Sequence, residues 1–197
     1  MTSGRNFAPQ RHDRAAVVTA ALTLLDEVGL ADLSMRRLAA TLHVQPSALY
    51  WHFTNKQELL GAIADRILEG VVPEAQAATP EDRVYTTAHS IRDALLAYRD
   101  GAELVLSSRA LRHGAVRAHG ALVTALGTDI DAANELAAAL FEFILGHTTL
   151  VQQRMHAESY GAAAEAGTHD HSAPETTVFD TGIRAMTLGA SSSRLSV

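Results

Sequence analysis

The chain has 197 residues, a mass of 21.0 kDa, 47% hydrophobic and 19% charged residues, and a net charge of −6. This composition predicts a folded globular protein of one or two domains, and the absence of cysteine excludes disulfides, thiolate metal sites and cysteine nucleophiles. No apolar run is long enough to span a membrane. The first residues lack the apolar core of a secretory signal, so we expect a cytoplasmic protein.

The charge is unevenly distributed along the chain. Residues 1–56 carry six basic and four acidic side chains, a net charge of +2, whereas residues 57–197 carry ten basic and eighteen acidic ones, a net charge of −8. A mildly basic end on an acidic chain favours a local surface for a polyanion. Chance unevenness in so small a count is the alternative.

The N-terminal third predicts short, closely spaced helices. Apolar residues at helical spacing predict a first helix over 13–28, closed by Gly29. Ser34 suits the N-cap of a second, short helix, and Pro46 suits the first turn of a third. The two short helices are expected over about 34–42 and 45–52.

The rest of the chain also predicts only helices. Asn55 and Glu58 form an N-x-x-E variant of the capping box that begins a fourth helix. Pro73 should end it before Thr79-Pro80 opens the next. Further helices are expected from 80 to near 99–101 and over 102–111, 114–126, 131–155 and 176–188, with a loop at 157–175. The sequence therefore predicts an all-α chain of about nine or ten helices.

The predicted 131–155 helix bears on assembly. Its apolar residues occupy several faces, with Leu136, Leu140, Phe143 and Leu150 on one, and Phe141, Ile144, Leu145 and Thr148 on others. A helix that is apolar nearly all round must be covered on both sides. It is either the central helix of a monomer or a helix that packs against a second subunit. The amphipathic 176–188 segment beside it favours the dimer.

Residues 34–53 have the layout of a helix-turn-helix, whose second helix lies in the major groove of DNA. Helix N-termini at Ser34 and near Gln45 can donate backbone N–H groups to phosphates. Leu49 and Phe53, four residues apart, should face the core. The three residues between them, Tyr50, Trp51 and His52, are then directed toward DNA.

The candidate DNA contacts divide by chemistry. Arg36, Tyr50 and Lys56 can reach the sugar–phosphate backbone. Polar side chains of the predicted 45–52 helix can hydrogen-bond base edges, and its small apolar side chains can pack on thymine methyl groups. The complete set is Ser34, Arg36, Gln45, Pro46, Ser47, Ala48, Tyr50, Trp51, His52 and Lys56.

No sequence motif of an enzyme is present. The chain has ten histidines but neither H-E-x-x-H nor G-x-S-x-G, so we expect no catalytic residues and no cofactor. His169, Asp170 and His171 form a poor metal cage without further ligands, and we expect them to be solvated, with no metal site. A protein-docking module is the rival function. A DNA reader loses binding with rising salt and with Tyr50→Ala, whereas an apolar docking face is nearly indifferent to salt.

Residues 14–65, RAAVVTAALTLLDEVGLADLSMRRLAATLHVQPSALYWHFTNKQELLGAIAD, resemble the TetR family of bacterial repressors. The family pattern has a helix ending in glycine, then LSMRRLA, then a recognition helix ending in Tyr-Trp-His-Phe, then a helix with lysine and Leu-Leu. All of these occur here in order. The YWH and NK segments, together with ALLAYRDGAELVLSSR at 94–109, are similar to the tetracycline-repressor branch.

The resemblance implies a two-part homodimer. Residues 1–69 would form an N-terminal three-helix helix-turn-helix domain, and residues 70–197 a helical domain for ligand binding and dimerisation. The 131–155 and 176–188 helices of both subunits would form a four-helix bundle. A small-molecule inducer in the C-terminal core would alter the separation of the DNA-binding domains and release a palindromic operator. Repression and activation both remain open at this point.

The resemblance also implies that the inducer is not tetracycline with magnesium. Val105 stands at the position of the branch's pocket histidine, Thr87 and Ile91 at those of an asparagine and a phenylalanine, and Leu150 or Val151 near that of an acidic residue. A magnesium chelate needs oxygen and imidazole ligands that these positions lack. We expect a mainly apolar small molecule, although each position is also typical of plain core. The candidate lining residues are Thr87, Ile91, Leu95, Val105, Leu106, Phe143 and His147.

Overall fold

A computed structural model describes residues 13–73, 79–127, 130–159 and 175–192, leaving aside the side chains of residues 130 and 189–192. Within these ranges the chain forms nine helices and no strand, which confirms the predicted all-α fold. None of these helices is long and apolar enough to cross a membrane. The helices are α1 (Arg14–Val28), α2 (Met35–Thr41), α3 (Pro46–Tyr50), α4 (Lys56–Ile67), α5 (Pro80–Leu96), α6 (Gly101–Ala110), α7 (Val116–Leu126), α8 (Ile130–Ser159) and α9 (Glu175–Ser192).

The predicted signals at the helix ends are confirmed for α1, α2 and α4. Gly29 follows α1 with φ 78°, and its N–H donates to the Leu25 carbonyl. Ser34 Oγ accepts from the Arg37 N–H at 3.2 Å, and Asn55 Oδ1 accepts from the Glu58 N–H at 2.8 Å. These caps explain why helices as short as α2 begin where they do.

The second half of the predicted capping box differs in the structure. Glu58 does not reach back to the Asn55 N–H. Its carboxylate accepts instead from the N–H of Thr54 at 2.8 Å and from the Thr54 hydroxyl at 2.9 Å. The carboxylate thereby ties α4 to the residue before its cap.

The α5–α6 corner is tighter than the sequence predicts. Thr79 caps α5 as expected, accepting from the Asp82 N–H at 3.1 Å. The helix ends at Leu96, a few residues before the expected 99–101. Residues beyond it form a turn in which the Gly101 N–H donates to the Tyr98 carbonyl, and Asp100, with φ 55°, starts α6.

The 30-residue helix α8 packs against four helices of its own chain, α5, α6, α7 and α9. The prediction that a second subunit covers a further face of α8 stays a prediction. Leu150, predicted to share a face with Phe143, is 47% exposed. The completely buried residues include Leu140, Phe141, Ile144, Leu145 and Thr148. Of the loop expected at 157–175, residues 160–174 lie outside the described residues.

Hydrogen bonds and close backbone approach define two contacts between α1–α4 and α5–α9. At the first, α4 meets the α6–α7 turn, where a Cβ on Gly114 would overlap the Gly61 carbonyl. There Asp65 Oδ1 also accepts from the Ala115 N–H at 2.7 Å. At the second, the end of α1 meets the α5–α6 corner. Asp26 accepts from the Arg99 N–H, and Asp100 accepts from the Leu30 N–H, each at 2.8 Å.

A buried amide fastens the same corner to α8. Gln152 is 7% exposed, and its Oε1 accepts from the Ala102 N–H at 3.0 Å. Its Nε2 donates to the carbonyls of Leu95 at 3.2 Å and Tyr98 at 2.8 Å. The amide thus satisfies backbone groups that the sharp turn leaves without helical partners. Through this corner, α8 is linked to the end of α1.

Candidate functional site

The turn between α2 and α3 depends on a strained histidine. His43 has φ 55°, in the left-handed region that side chains other than glycine rarely adopt. The turn brings the Val44 N–H to the Ala39 carbonyl at 3.0 Å. Leu38 and Leu49 are then buried in one core, at 0% and 1% exposure. The two helices are therefore held at a defined angle by a short connection and shared packing.

The aromatic stretch after Leu49 divides as the sequence predicts. Leu49 and Phe53 are 1% and 0% exposed, whereas Tyr50 is 51% and Trp51 is 89% exposed. His52 is half-buried. The spacing of four residues places the two buried side chains on the inner side, and the two large aromatic side chains between them extend into solvent.

The other candidate DNA contacts all have accessible surface. Ser34, Arg36, Gln45 and Ser47 are exposed. The half-buried members of the set are Pro46, Ala48 and Lys56. No hydrogen bond from the Gln45 side chain caps α3, so among the described residues this amide is not used for that purpose. Its donor and acceptor are open to a ligand.

Arg14 is a component of this surface that the sequence analysis did not identify. Its guanidinium lies 4.5 Å from the Phe53 ring centroid, donates to the His52 carbonyl at 3.4 Å, and pairs with Glu58 at 3.2 Å. The pKa of Glu58 lies below its usual value, first because the Thr54 N–H and hydroxyl hold the carboxylate, and then because of Arg14. The spacing of 44 residues between Arg14 and Glu58 gave no local signal.

Six of the seven predicted ligand-lining residues fall into two groups. Thr87, Ile91, Leu95 and Val105 are all buried in the core, at 1% exposure or less. Leu106 does not join them, because it lies on the outer side of α6 and is 38% exposed. Val105, its neighbour in sequence, is completely buried, as expected for adjacent positions on a helix with one buried face.

Phe143 and His147 belong to an aromatic cluster between α5, α8 and α9. Both stand near Phe179, with ring centroids 6.0 and 5.2 Å away, and His89 contacts the same ring at 5.1 Å. Asp180 lies 2.8 Å from His89 Nε2. Burial lowers the pKa of His147, and the nearby Arg92 lowers it further.

Four hydroxyls stand out because they are buried without hydrogen-bond partners among the described residues. Three belong to the fully buried residues Thr87 on α5, Ser108 on α6 and Thr148 on α8, with exposures of 1%, 2% and 0%, and the fourth to Thr149. Buried hydroxyls are normally satisfied, since an unpaired one loses its hydration for no return. The core therefore has polar groups available to a bound molecule.

Metal binding finds no support in the described ranges, where no group of three or more histidine, cysteine or acidic side chains is assembled. His169, Asp170 and His171 lie outside these ranges. The prediction that they are solvated stays a prediction.

Comparison with known proteins gives two family matches. The model of "Bacterial regulatory proteins, tetR family" matches residues 17–63, and that of "Tetracyclin repressor-like, C-terminal domain" matches residues 72–188. The class A tetracycline repressor protein from transposon 1721 of Escherichia coli is 47% identical over 96 residues, covering 47% of this chain and 44% of that protein. The chain spans about half the length of the curated relatives it matches.

Solved structures extend the similarity over nearly the whole chain. BioQ of Mycobacterium smegmatis superimposes with a TM-score of 0.79 at 35% identity, over 92% of this chain and 98% of that one. BioQ with its double-stranded DNA operator gives 0.68 at 34%, over 88% and 99%. A substituted TetR of Acinetobacter baumannii in complex with minocycline gives 0.73 at 29%, over 93% and 98%. With a family model matched over more than half its length, the chain belongs to the tetR family of bacterial regulatory proteins.

Proposed function

We propose that this protein is a transcriptional repressor that binds a palindromic DNA operator as a homodimer and is released by a small-molecule inducer. The observation that carries the proposal is the outer side of α3. Tyr50 and Trp51 are exposed there while Leu49 and Phe53 hold the helix to the core. Exposed aromatic groups on a firmly packed short helix suit a surface that a partner covers. The operator-bound structure of the similar protein BioQ supports DNA as that partner.

The exposed side chains divide the work of binding. Arg36 and Lys56 make no ion pair among the described residues, so their charges are available to phosphates. Ser34 and Tyr50 add hydrogen bonds to the backbone, and Trp51 packs against the groove wall. Base selection then rests on α3 and its flanking residues, through Gln45, Pro46, Ser47, Ala48 and His52.

The chain divides functionally at about residues 69 and 70, with DNA binding before and ligand binding after. The core of α5, α6 and α8 supports a ligand site, because its unpaired hydroxyls lie among apolar neighbours. Thr87 and Ser108 offer a hydrogen bond each, while Ile91 and Val105 offer apolar contact. The inducer is thus mainly apolar with a few polar atoms. A similar protein crystallised in complex with minocycline supports binding of a small molecule.

The homodimer would form through α8 and α9. The two helices are antiparallel, since Arg154 pairs with Glu175 near one end and Phe143 contacts Gly182 further along. Between these contacts Leu150 and Val178, each 47% exposed, lie at the same level. Burying two such patches against each other removes apolar surface from water. The dimer is stabilised by about 25 cal/mol per Å² of that surface.

Release of DNA would pass through the contact of α4 with the α6–α7 turn. The backbones of Gly61 and Gly114 touch there without intervening side chains, and Asp65 holds the Ala115 N–H. A ligand that displaces α6 also displaces α4, because the two backbones are already in direct contact. A coupling free energy of about 1–3 kcal/mol would suffice for a 5–150-fold change in operator affinity.

The first test is footprinting on the DNA upstream of the protein's own gene at two salt concentrations. We expect a protected palindrome whose occupancy falls as salt rises. A reporter gene behind this site then separates repression from activation. Absence of binding to any DNA at low salt would favour the protein-docking alternative.

A second test uses the single tryptophan of the chain. Trp51, directly after α3, is 89% exposed, so its fluorescence should change when DNA covers the surface. Tyr50→Ala should lower the DNA affinity measured by this titration in a salt-dependent manner. Leu111→Ala, which truncates an exposed apolar side chain at the end of α6, should not. Equal effects of the two variants would contradict the assignment of α3 as the binding surface.

A further inference from the structure

The α5–α6 corner holds α1–α4 at a point distant from the contact of α4 with the α6–α7 turn. That contact lies beside the first half of α1, where Asp65 and Val18 line the same groove. The corner instead bonds to Asp26 and Leu30, at the end of α1. Val18 and Asp26 are separated by about 12 Å along the helix. A body held at one contact can pivot about it, whereas two contacts at this separation fix its orientation.

The corner depends on a strained backbone at Asp100. Its φ of 55° lies in the left-handed region that side chains other than glycine rarely adopt. Such a conformation persists only where the surrounding contacts fix it. Asp100 Oδ2 accepts from the Leu30 N–H at 2.8 Å, and a Cβ on Gly29 would lie 2.9 Å from the same oxygen. The strained residue thus places its carboxylate directly against the end of α1.

Gln152 on α8 fixes this backbone on both sides of Asp100. Its amide donates to two carbonyls before Asp100 and accepts from the Ala102 N–H after it. Gln152 is 7% exposed, so water has little access to these hydrogen bonds. His156, about one turn further along α8, has its Nδ1 at 3.4 Å from Asp100 Oδ1. The position of α8 is therefore transmitted to the end of α1 through direct polar contacts.

We propose that Gln152 is a positioning residue, which sets the separation and orientation of the two DNA-binding domains of the homodimer by fixing the α5–α6 corner. This inference rests on the proposed function, both for DNA binding and for a dimer through α8 and α9. Gln152 determines which spacing of half-sites the dimer accepts. It does not determine which bases α3 reads, because it lies on a helix of the other domain.

The test compares the footprinted operator with versions that have one base pair inserted or deleted between the half-sites, and with a single half-site. Binding is measured by fluorescence anisotropy of labelled DNA. One base pair moves a half-site by about 3.4 Å and rotates it by about 35°, so the wild type should bind both altered operators more weakly. Gln152→Met keeps an unbranched side chain of similar length without the hydrogen bonds. It should reduce this spacing preference about fivefold or more, the lower limit of usual coupling between sites, and leave the single half-site affinity unchanged.

A second variant breaks the same link from α1. Asp26→Ala removes the carboxylate that accepts from the Arg99 N–H, and it should reduce the spacing preference in the same direction. Asp26→Asn keeps an acceptor oxygen and should keep the wild-type preference. Glu27→Ala removes an equal charge at the neighbouring exposed position and should also leave the preference unchanged. Helical circular dichroism verifies folding, and Asp26→Ala carries the test alone if Gln152→Met does not fold.

Contrary results have distinct meanings. An unchanged spacing preference in either folded variant, Gln152→Met or Asp26→Ala, would overturn the inference. Equal weakening on the single half-site and on the operator would overturn it too, because the variants would then have damaged the DNA-binding surface. A wild type that binds all three spacings equally would refute the inference and leave DNA binding intact. Wild-type protein that binds no DNA at low salt would refute the proposed function itself, and this inference with it.

Discussion

Replacing the hydroxyl of Thr148 by a methyl group should stabilise the protein. Thr148 is 0% exposed in the middle of α8, and its Oγ1 has no partner among the described residues. Valine has the same shape, so Thr148→Val leaves no cavity and causes no overlap. A buried, unpaired hydroxyl costs about 1–3 kcal/mol. We therefore expect the free energy of unfolding to rise by about 1–2 kcal/mol.

A matched control comes from α9. Thr187 is also buried, at 5% exposure, but its Oγ1 donates to the Ile183 carbonyl at 2.8 Å. Thr187→Val should lower the free energy of unfolding by about 0.5–1.5 kcal/mol, the usual contribution of one hydrogen bond. The same chemical change at two buried threonines thus has opposite expected signs.

Urea denaturation followed by helical circular dichroism measures both variants. The protein concentration is held constant, because the stability of the proposed homodimer would depend on it. Equal m-values would show that the comparison is one of stability alone. If Thr148→Val lowers stability as much as Thr187→Val does, the Thr148 hydroxyl is satisfied in the protein. The Thr148 hydroxyl would then not be free to bind the proposed inducer.

Three further predictions concern backbone and charge. Gly182→Ala should lower the free energy of unfolding by about 1–3 kcal/mol in a urea titration, because its Cβ would overlap the Phe143 ring. Gly120→Ala, in an open position on α7, should be neutral or stabilising, and similar losses at both sites would contradict the packing. His43→Gly should raise the thermal midpoint through a gain of about 0.5–1 kcal/mol, since φ is 55°; a loss would show that the imidazole makes stabilising contacts. The lowered pKa of His147 means that the unfolded chain takes up this proton first, so stability should fall as the pH drops through about 6.5; His147→Phe should reduce that pH dependence, and an unchanged profile would contradict the assignment.

Local signals in the sequence were sufficient for most helix boundaries. Ser34, Asn55 and Thr79 act as N-caps because a side-chain oxygen two or three residues before an unpaired N–H is a short-range geometric relation. The inward and outward positions on α3 follow equally from the helical repeat, as Leu49 and Trp51 show.

Contacts between distant segments could not be predicted in the same way. Nothing near Gln152 in the sequence indicates that its amide serves backbone groups at Leu95, Tyr98 and Ala102, which lie 50 or more positions earlier. The partners that cover α8 could not be predicted for a related reason. Hydrophobic periodicity shows that a face is buried, but not whether the covering helix belongs to the same chain.

The contact between Gly61 and Gly114 has a consequence for building chimeric regulators. An exchange of residues 1–69 between relatives replaces Gly61 and Asp65 together but leaves their partners, Gly114 and the Ala115 N–H, on the recipient. A donor with any side chain at position 61 would place that side chain in the contact. The exchanged residues 1–69 would then be held away from the recipient's α6–α7 turn, even if both parts fold. Exchange of residues 1–69 in this protein thus depends on two glycines that are outside the sets of candidate DNA-contacting and ligand-lining residues. Compatible donors can be selected by inspecting that pair before any cloning is done.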